Sequence, residues 1–270
     1  MAQAAHLRVL TLNHYSRHAD WPARREVLAS GLRALNPDII AFIETVVTEN
    51  VDTVAEILGD GYHVAHQQDR APDGTGISIA SRWPLLDLRE HDLHVTPRSA
   101  SLFCSLLTAE IETPVGRLLF ANHLPSYELD FELERELQTV SATRFIEYVV
   151  GDREMHVILA GDLDATPDAA SIRFLRGLQS LDGMSVAYRD AWERAHPGDP
   201  GYTFDSRNPL RTPEWDIDRR IDYLFVRCTH EGPTLDVARC ELAFAEPVDG
   251  VWASDHFGVV ADFAPRALTG

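Results

Sequence analysis

The 270-residue sequence predicts an α/β fold, because two kinds of segment alternate along it. The first is a short, continuous apolar run, as in Ile39-Ile40-Ala41-Phe42-Ile43 and Val157-Ile158-Leu159-Ala160. That is the pattern of a strand covered on both faces. The second is a helical segment with its apolar residues on one side, as Val27, Leu28, Leu32 and Leu35 are placed. These patterns give strands between amphipathic helices and leave the order of strand pairing open.

Leu7 to Leu12 is apolar and β-compatible, and Asn13 sits where that strand should end. Asp20-Trp21-Pro22 opens a helix, with an N-cap residue followed by a proline in the first turn, and Asn36-Pro37 closes it. The strand from Asp38 to Ile43 ends on Glu44. Val51 to Leu58 is predicted helical, Tyr62 to His66 a strand, and Gly74 to Ala80 a strand following a Pro-Asp-Gly-Thr-Gly turn. His63 and His66 are offset by three and fall on opposite faces of a strand, which removes them as a metal pair. His91 and His94 lie in a loop-like region and read as surface residues. His14 and His18 could share a helical face, but the helix starts after them.

Two strand-like stretches, Ala100 to Glu112 and Arg117 to Asn122, are joined by the turn Thr113-Pro114-Val115-Gly116 and deliver His123 at a strand end. Asp130 to Val150 is predicted helical. Leu133, Leu137 and Val140 share one face while Phe145, Ile146 and Val149 lie round the other, which implies a kink or burial on two sides.

The sharpest stretch is His156 to Pro167, H-V-I-L-A-G-D-L-D-A-T-P. Its apolar run stops at Gly161, and Thr166-Pro167 has the form of an N-cap and first helical residue. An extended chain between these points would project Asp162 and Asp164 from one face at the strand's carboxyl end, an arrangement suited to a hard cation. Taken alone, the pair is equally accounted for by turn-forming aspartates beside a helix start. Ala169 to Leu178 follows as an amphipathic helix, and the polar, aromatic region to Trp215 is loop-rich, with a compact Gly201-Tyr202-Thr203-Phe204 element. In the strand Arg219 to Val226, Asp222 shares a face with Leu224 and Val226, so its carboxylate needs a cation or a ring N–H. The last strand, Phe257 to Phe263, is preceded by Ser254-Asp255-His256. A histidine there, oriented by an acid, has the makings of a general base.

No Gly/Ser linker, repeat or low-complexity tract divides the chain, so residues 1–270 read as one domain. Twenty-four basic against forty-two acidic residues give a net charge of -18, which repels polyanions and disfavours nucleic acid as a partner, although a bound metal can reverse the local sign. Cys104, Cys228 and Cys240 lack any C-x-x-C spacing and read as buried thiols, without a disulfide framework or zinc knuckle. The start carries no signal-peptide pattern and no run reaches membrane-spanning length, so a soluble, cytoplasmic protein is expected.

Asn13, Glu44, His123, Asp162, Asp164, Asp222, Asp255 and His256 all fall at predicted strand boundaries. Their order resembles the endonuclease/exonuclease/phosphatase superfamily: a strand ending in Asn, a strand ending in Glu, S-R-x-P at Ser81 to Pro84, His123-Leu124, G-D-x-N at Gly161, R-I-D-Y at Arg220 and S-D-H at Ser254. The resemblance spans nearly the whole chain, and Arg135 and Gln138 also match the helix that precedes G-D-x-N. It implies a four-layer α/β sandwich, two packed, mostly antiparallel sheets flanked by helices. It also implies Glu44 as the main divalent-metal ligand, with Asn13, Asp162 and Asp255 around the same ion or its waters, Mg²⁺ or Mn²⁺ by donor type. His123 would contact phosphoryl oxygens, His256 would be the general base or a phosphate contact, and Asp222 its orienting partner. The departure is Asp164, where the family has Asn; an ionised Asp only accepts hydrogen bonds and adds negative charge.

The expectation is a metal-dependent phosphoesterase acting on a small phosphorylated molecule by in-line water attack. A nuclease is the alternative within the resemblance, and a noncatalytic binding module altered through Asp164 is the alternative outside catalysis. The resemblance implies that the loop from Ala195 to Trp215, with Tyr202, Phe204, Arg207, Arg211 and Trp215, borders the cleft; its arginines and aromatics could grip a phosphate and a flat or apolar group, and ordinary loop packing accounts for them equally well.

Overall fold

The computed structural model describes residues 6–211 and 217–266; Trp215 and the first five residues read above lie outside them. The elements in order are β1 (Leu7–Asn13), α1 (Trp21–Leu35), β2 (Ile39–Val46), α2 (Thr53–Leu58), β3 (His63–His66), β4 (Thr75–Ser81), β5 (Leu86–Asp92), a 3-10 turn (Pro97–Ser101), β6 (Ser105–Thr113), β7 (Gly116–Leu124), α3 (Glu132–Val150), β8 (His156–Asp162), α4 (Ala170–Leu175), β9 (Tyr188–Asp190), α5 (Ala191–Ala195), β10 (Asp222–Thr229), β11 (Gly232–Pro233), β12 (Leu235–Ala243) and β13 (Gly258–Pro265).

One sheet has the order β12-β13-β1-β2-β4-β3 and the other β11-β10-β8-β7-β6-β5, with β9 paired to β10. Each contains one parallel pair, β1 with β2 and β7 with β8, among antiparallel neighbours. Each parallel pair is joined by a long helix, α1 or α3, as a parallel crossover requires. Alternation along the strands then builds the layers. Ile39, Ala41 and Ile43 face Phe120, Ile158, Ala160 and Leu224 between the sheets. Ile40 and Phe42 turn the other way, onto Leu28 and Leu32 of α1. Leu119, Ala121, Val157 and Leu159 meet Ile146 and Val150 of α3 on the opposite outer face. The result is the four-layer sandwich, and it brings the carboxyl ends of β1, β2, β7 and β8 to one edge.

Several expectations are corrected. β2 continues past Glu44 to Val46 through a bulge, with Glu44 itself at φ 57. His91 lies in β5, its ring stacked on Phe145 at 4.6 Å and Nε2 bonded to Ser141 Oγ at 2.8 Å. The stretch from Ala100 starts in the 3-10 turn, and β6 begins only at Ser105. α3 runs unbroken with Leu133 exposed; its buried stripe includes the polar residues Glu134, Arg135 and Gln138, which hold neighbouring loops. α4 starts at Ala170, so Thr166-Pro167 forms a turn and not the helix start. Residues 179–211 contain β9 and α5, because Asp190 caps α5 by accepting from Trp192 N (2.9 Å) and Glu193 N (3.3 Å). No helix among the described residues is long and apolar enough to cross a membrane.

Asp190 also pairs with Arg220 at 2.7 Å, both side chains buried, and Arg220 immediately precedes the segment that begins β10. Removing one partner of a buried pair leaves the other charge uncompensated. Asp190→Ala should therefore cost about 3–5 kcal/mol in chemical denaturation; a loss well under 1 kcal/mol would show that the pair is not holding this edge.

Candidate active site

Asn13, the last residue of β1, joins the two sheets. Its Nδ2 donates to Glu44 Oε1 at 3.2 Å and to Asp162 Oδ2 at 3.1 Å, while its Oδ1 accepts from Tyr15 N at 2.9 Å. Glu44 reaches this point because the β2 bulge turns it out of the strand alternation. The bulge is held from several sides: Asn122 Nδ2 donates to Phe42 O (2.9 Å), Arg70 Nη1 to Thr45 O (2.8 Å), and His14 N to Ile43 O (3.0 Å). None of these supports had been assigned a role from the sequence.

Asp162 closes β8, and Asp164 follows in a left-handed conformation at φ 49, its N–H donating to Asp162 Oδ1 at 3.2 Å. The two acids thus meet through a tight turn and not along one face of an extended chain. Gly161 permits the approach of β8 to β7: a Cβ there would sit 2.0 Å from His123 O. The antiparallel register sets Asp222 opposite Asp162. His256 Nδ1 lies 3.0 Å from Asp222 Oδ2 and 3.6 Å from Asp162 Oδ2. A proton on Nδ1 shared with Asp222 leaves Nε2 as the basic nitrogen.

Backbone bonds lock this constellation. Thr203 Oγ1 accepts from Ile221 N (3.1 Å) and Asp222 N (3.2 Å), and Thr203 O accepts from Phe257 N at 2.7 Å, so one residue ties β10 to the Ser254-Asp255-His256 turn. Ser254 Oγ donates to Asn13 O at 2.6 Å, and Asn208 Nδ2 to Ser254 O at 2.7 Å. Arg24, fully buried, donates to the carbonyls of Ala253 (3.0 Å), His18 (2.7 Å), Tyr15 (3.3 Å) and His14. Nothing in the sequence distinguishes it from an exposed helical arginine.

Electrostatically the site is overloaded with carboxylates. Burial pushes Glu44 up against the Asn13 hydrogen bond, and pushes Asp162 well up with help from Asp164 and Asp222. Asp164 is raised by burial, against the pull of His256, Arg219 and Arg135, and burial lifts Asp255 to about 6. Burial works against a charge on His256, but Asp222, Asp162 and Asp255 outweigh it and hold the ring well above its ordinary value. A hard cation would relieve the crowding, and Glu44, Asp162, Asp164 and Asp255 are the oxygen donors that could hold one. Among the described residues Asp162, Asp222 and His256 also bring ligand atoms within 4.8 Å of one another. With Nδ1 of His256 engaged by Asp222, that trio reads as an oriented imidazole.

His123 is fully buried at the end of β7. Neither ring nitrogen has a hydrogen-bond partner, and burial lowers the ring to about 3, so it is neutral. It has no direct bond to the carboxylate group. Phe204 packs edge-on to His256 with ring centroids 5.0 Å apart. Arg211 lies 5.6 Å from the Phe204 centroid, Arg207 lies 5.4 Å from that of Phe257 and pairs with Asp205 at 3.0 Å, and Tyr202 is partly exposed beside them. Of this loop, Phe204 and Thr203 lie directly against His256 and the start of β10.

The model of the endonuclease/exonuclease/phosphatase family matches residues 10–256. No curated protein is matched. Among solved structures, D. rerio TDP2 complexed with single strand DNA product is 20% identical, with a TM-score of 0.78 and 96% and 98% of the two chains covered. The human Nocturnin catalytic domain with bound sulfate anion is 17% identical with a TM-score of 0.75, covering 98% and 96%. An endonuclease/exonuclease/phosphatase from Bacteroides vulgatus is 18% identical with a TM-score of 0.73, covering 97% and 99%.

Asp255 yields a pH prediction. Its folded pKa is raised, so its contribution to stability is fully present below its unfolded pKa and lost as pH rises through about 6. In chelator, Asp255→Asn should gain thermal stability relative to the parent between about pH 4 and about pH 7. A difference that is flat or reversed across that window would contradict the crowding of charge.

Proposed function

Because the chain belongs to the endonuclease/exonuclease/phosphatase family, we propose that it is a divalent-metal-dependent phosphoesterase that hydrolyses a small phosphorylated substrate. The observation that carries the reading is Asn13 bonded to both Glu44 and Asp162, with Asp164 and Asp255 near enough to Glu44 to interact with its charge, beside an imidazole ring oriented by Asp222. Glu44, Asp162 and Asp255 would hold Mg²⁺ or Mn²⁺, with Asn13 aligning Glu44 and Asp162 through its amide N–H groups; the ion when bound would supply Lewis-acid polarisation of a phosphoryl oxygen.

The chain's own groups do the rest. Once a bound cation offsets the Asp162 and Asp255 charge that otherwise keeps the ring protonated, His256 would take the proton of the attacking water at Nε2, with Asp222 holding the ring by Nδ1. His123, neutral and with unpartnered ring nitrogens, donates a hydrogen bond to a phosphoryl oxygen. Asp164, raised by burial against the pull of His256, Arg219 and Arg135, stands where the family has Asn and offers the site only oxygen atoms when ionised. Phe204 and the arginines Arg207 and Arg211, with Tyr202, border the substrate. The proposed location is cytoplasmic, in keeping with three free cysteines.

Two features favour a small substrate over a polyanion. The net charge is -18, and all the basic residues are arginines. Near the site Arg24 and Arg135 spend their donors on backbone carbonyls, and Arg207 on Asp205. A nuclease is the second reading, favoured by the single-strand DNA product held by D. rerio TDP2 on the same fold. Steep loss of activity with rising salt would mark it. A third reading, binding without turnover, rests on Asp164 alone.

Phosphate release from phosphomonoesters, with phosphodiesters and DNA alongside, in Mg²⁺, Mn²⁺ and chelator, tests the proposal. Chelator-sensitive release from small esters with DNA intact is expected. Glu44→Ala and His256→Ala should each lower turnover by at least about 100-fold with the fold preserved, and near-normal rates in either would remove the assignment. Asp164→Asn should keep or raise activity; complete loss would make the second carboxylate essential.

A further inference from the structure

The chain sets twenty-four basic residues, all arginines, against forty-two acids. Most of the arginines are committed. Among the described residues only Arg17, Arg33, Arg189 and Arg194 make no side-chain hydrogen bond or ion pair. Two of these, Arg189 of β9 and Arg194 of α5, line one cavity of about 490 Å³, together with Arg176 at the end of α4. The acids on the same walls already have partners: Asp190 pairs at 2.7 Å with Arg220, which does not line the cavity, and Glu193 pairs with Arg176. The charge left over is that of Arg189 and Arg194, a positive spot on a molecule of net charge -18.

The backbone that carries these arginines is fixed by the fold. β9 is paired to β10 with Arg189 opposite Val226, and Cys228 N donates to Ala187 O at 2.8 Å. The Asp190 cap roots α5, and Arg176 Nη1 donates to Pro167 O at 3.2 Å. Little ordering would remain for a ligand to impose on the main chain. Tyr188, another wall, is 3% exposed, and its hydroxyl is buried without a hydrogen-bond partner. Such a group calls for a partner from outside the chain, an ion or a water.

Guanidinium groups match phosphate oxygens in a bidentate fork, so the chemistry of the cavity is that of a phosphate receptor. A long polyanion would carry most of its charge over the acidic surface beyond the cavity, whereas a compact one sets all of it against the arginines. Two uncommitted guanidinium groups in a cavity much larger than one phosphate suit linked phosphates. We propose that this cavity is an anion site separate from the carboxylate centre, and that it takes a small molecule bearing two or more phosphate groups. None of its walls belongs to the candidate active site, so the inference does not depend on the phosphoesterase reading.

The test is calorimetric titration of pyrophosphate, at low salt, into protein stripped of metal and dialysed free of chelator. With no cation present the active-site carboxylates repel an anion, so the heat reports the cavity. Saturable binding of one pyrophosphate per chain is expected, with inorganic phosphate weaker by at least about fivefold. Arg189→Gln and Arg194→Gln should each weaken pyrophosphate binding by about tenfold. Arg33→Gln, which removes an equally uncommitted arginine from α1, should leave it within about twofold. No binding to the parent, or equal weakening in all three variants, overturns the proposal. So does an oligodeoxynucleotide without terminal phosphates that binds as tightly through the same arginines, since the ligand would then be a strand. No turnover is read, so each of these failures leaves the phosphoesterase reading standing.

Discussion

Crowded negative charge is the constraint on which this structure turns. Glu44, Asp162, Asp164 and Asp255 stand at the edge where two β-α-β units open, and burial raises the pKa of each. Left alone, such a group would spread apart or draw in water. It is held by bonds that come mostly from backbone and from neutral side chains: Asn13 between the sheets, Thr203 and Ser254 between β10 and the turn before β13, and the β2 bulge that presents Glu44. The scaffold therefore maintains a charge arrangement that a divalent cation would satisfy.

The two halves contribute in parallel ways. β1 and β2, joined by α1, deliver Asn13 and Glu44, while β7 and β8, joined by α3, deliver His123 and Asp162. The antiparallel strands beside them then supply Asp222 at the start of β10 and the Ser254-Asp255-His256 turn before β13. Arg24 secures one half by its carbonyl bonds to the loop after β1 and to Ala253, and Arg135 with Gln138 secures the other. Function and packing are thus joined in α3, whose buried face is partly polar because it faces loops that shape a cleft.

Much of this was legible in the sequence because strands covered on both faces leave an unmistakable apolar run, and each ended on a residue too polar for the core. The run Val157 to Ala160 followed by Asp162 was readable in that way, as was Asp222 seeking the ring N–H that His256 provides. What stayed hidden depends on backbone conformation or on distant partners. The left-handed turns at Glu44 and Asp164 leave no periodic signal, and they are what bring these acids to the site. β12 leaves no clear sequence signal because an edge strand alternates with solvent and lacks a buried run. Arg24, Thr203 and Arg70 act through carbonyl and amide bonds set by the tertiary fold, which local spacing does not reveal.

Calorimetric titration of Mn²⁺ into chelator-stripped protein near neutral pH, for the parent and for Glu44→Ala, tests the central claim most directly. The account predicts saturable binding to the parent and its loss, or weakening by about 100-fold, in the variant with the fold intact. Binding absent from the parent, or equally tight without Glu44, would show that the crowded carboxylates are not held together for a metal.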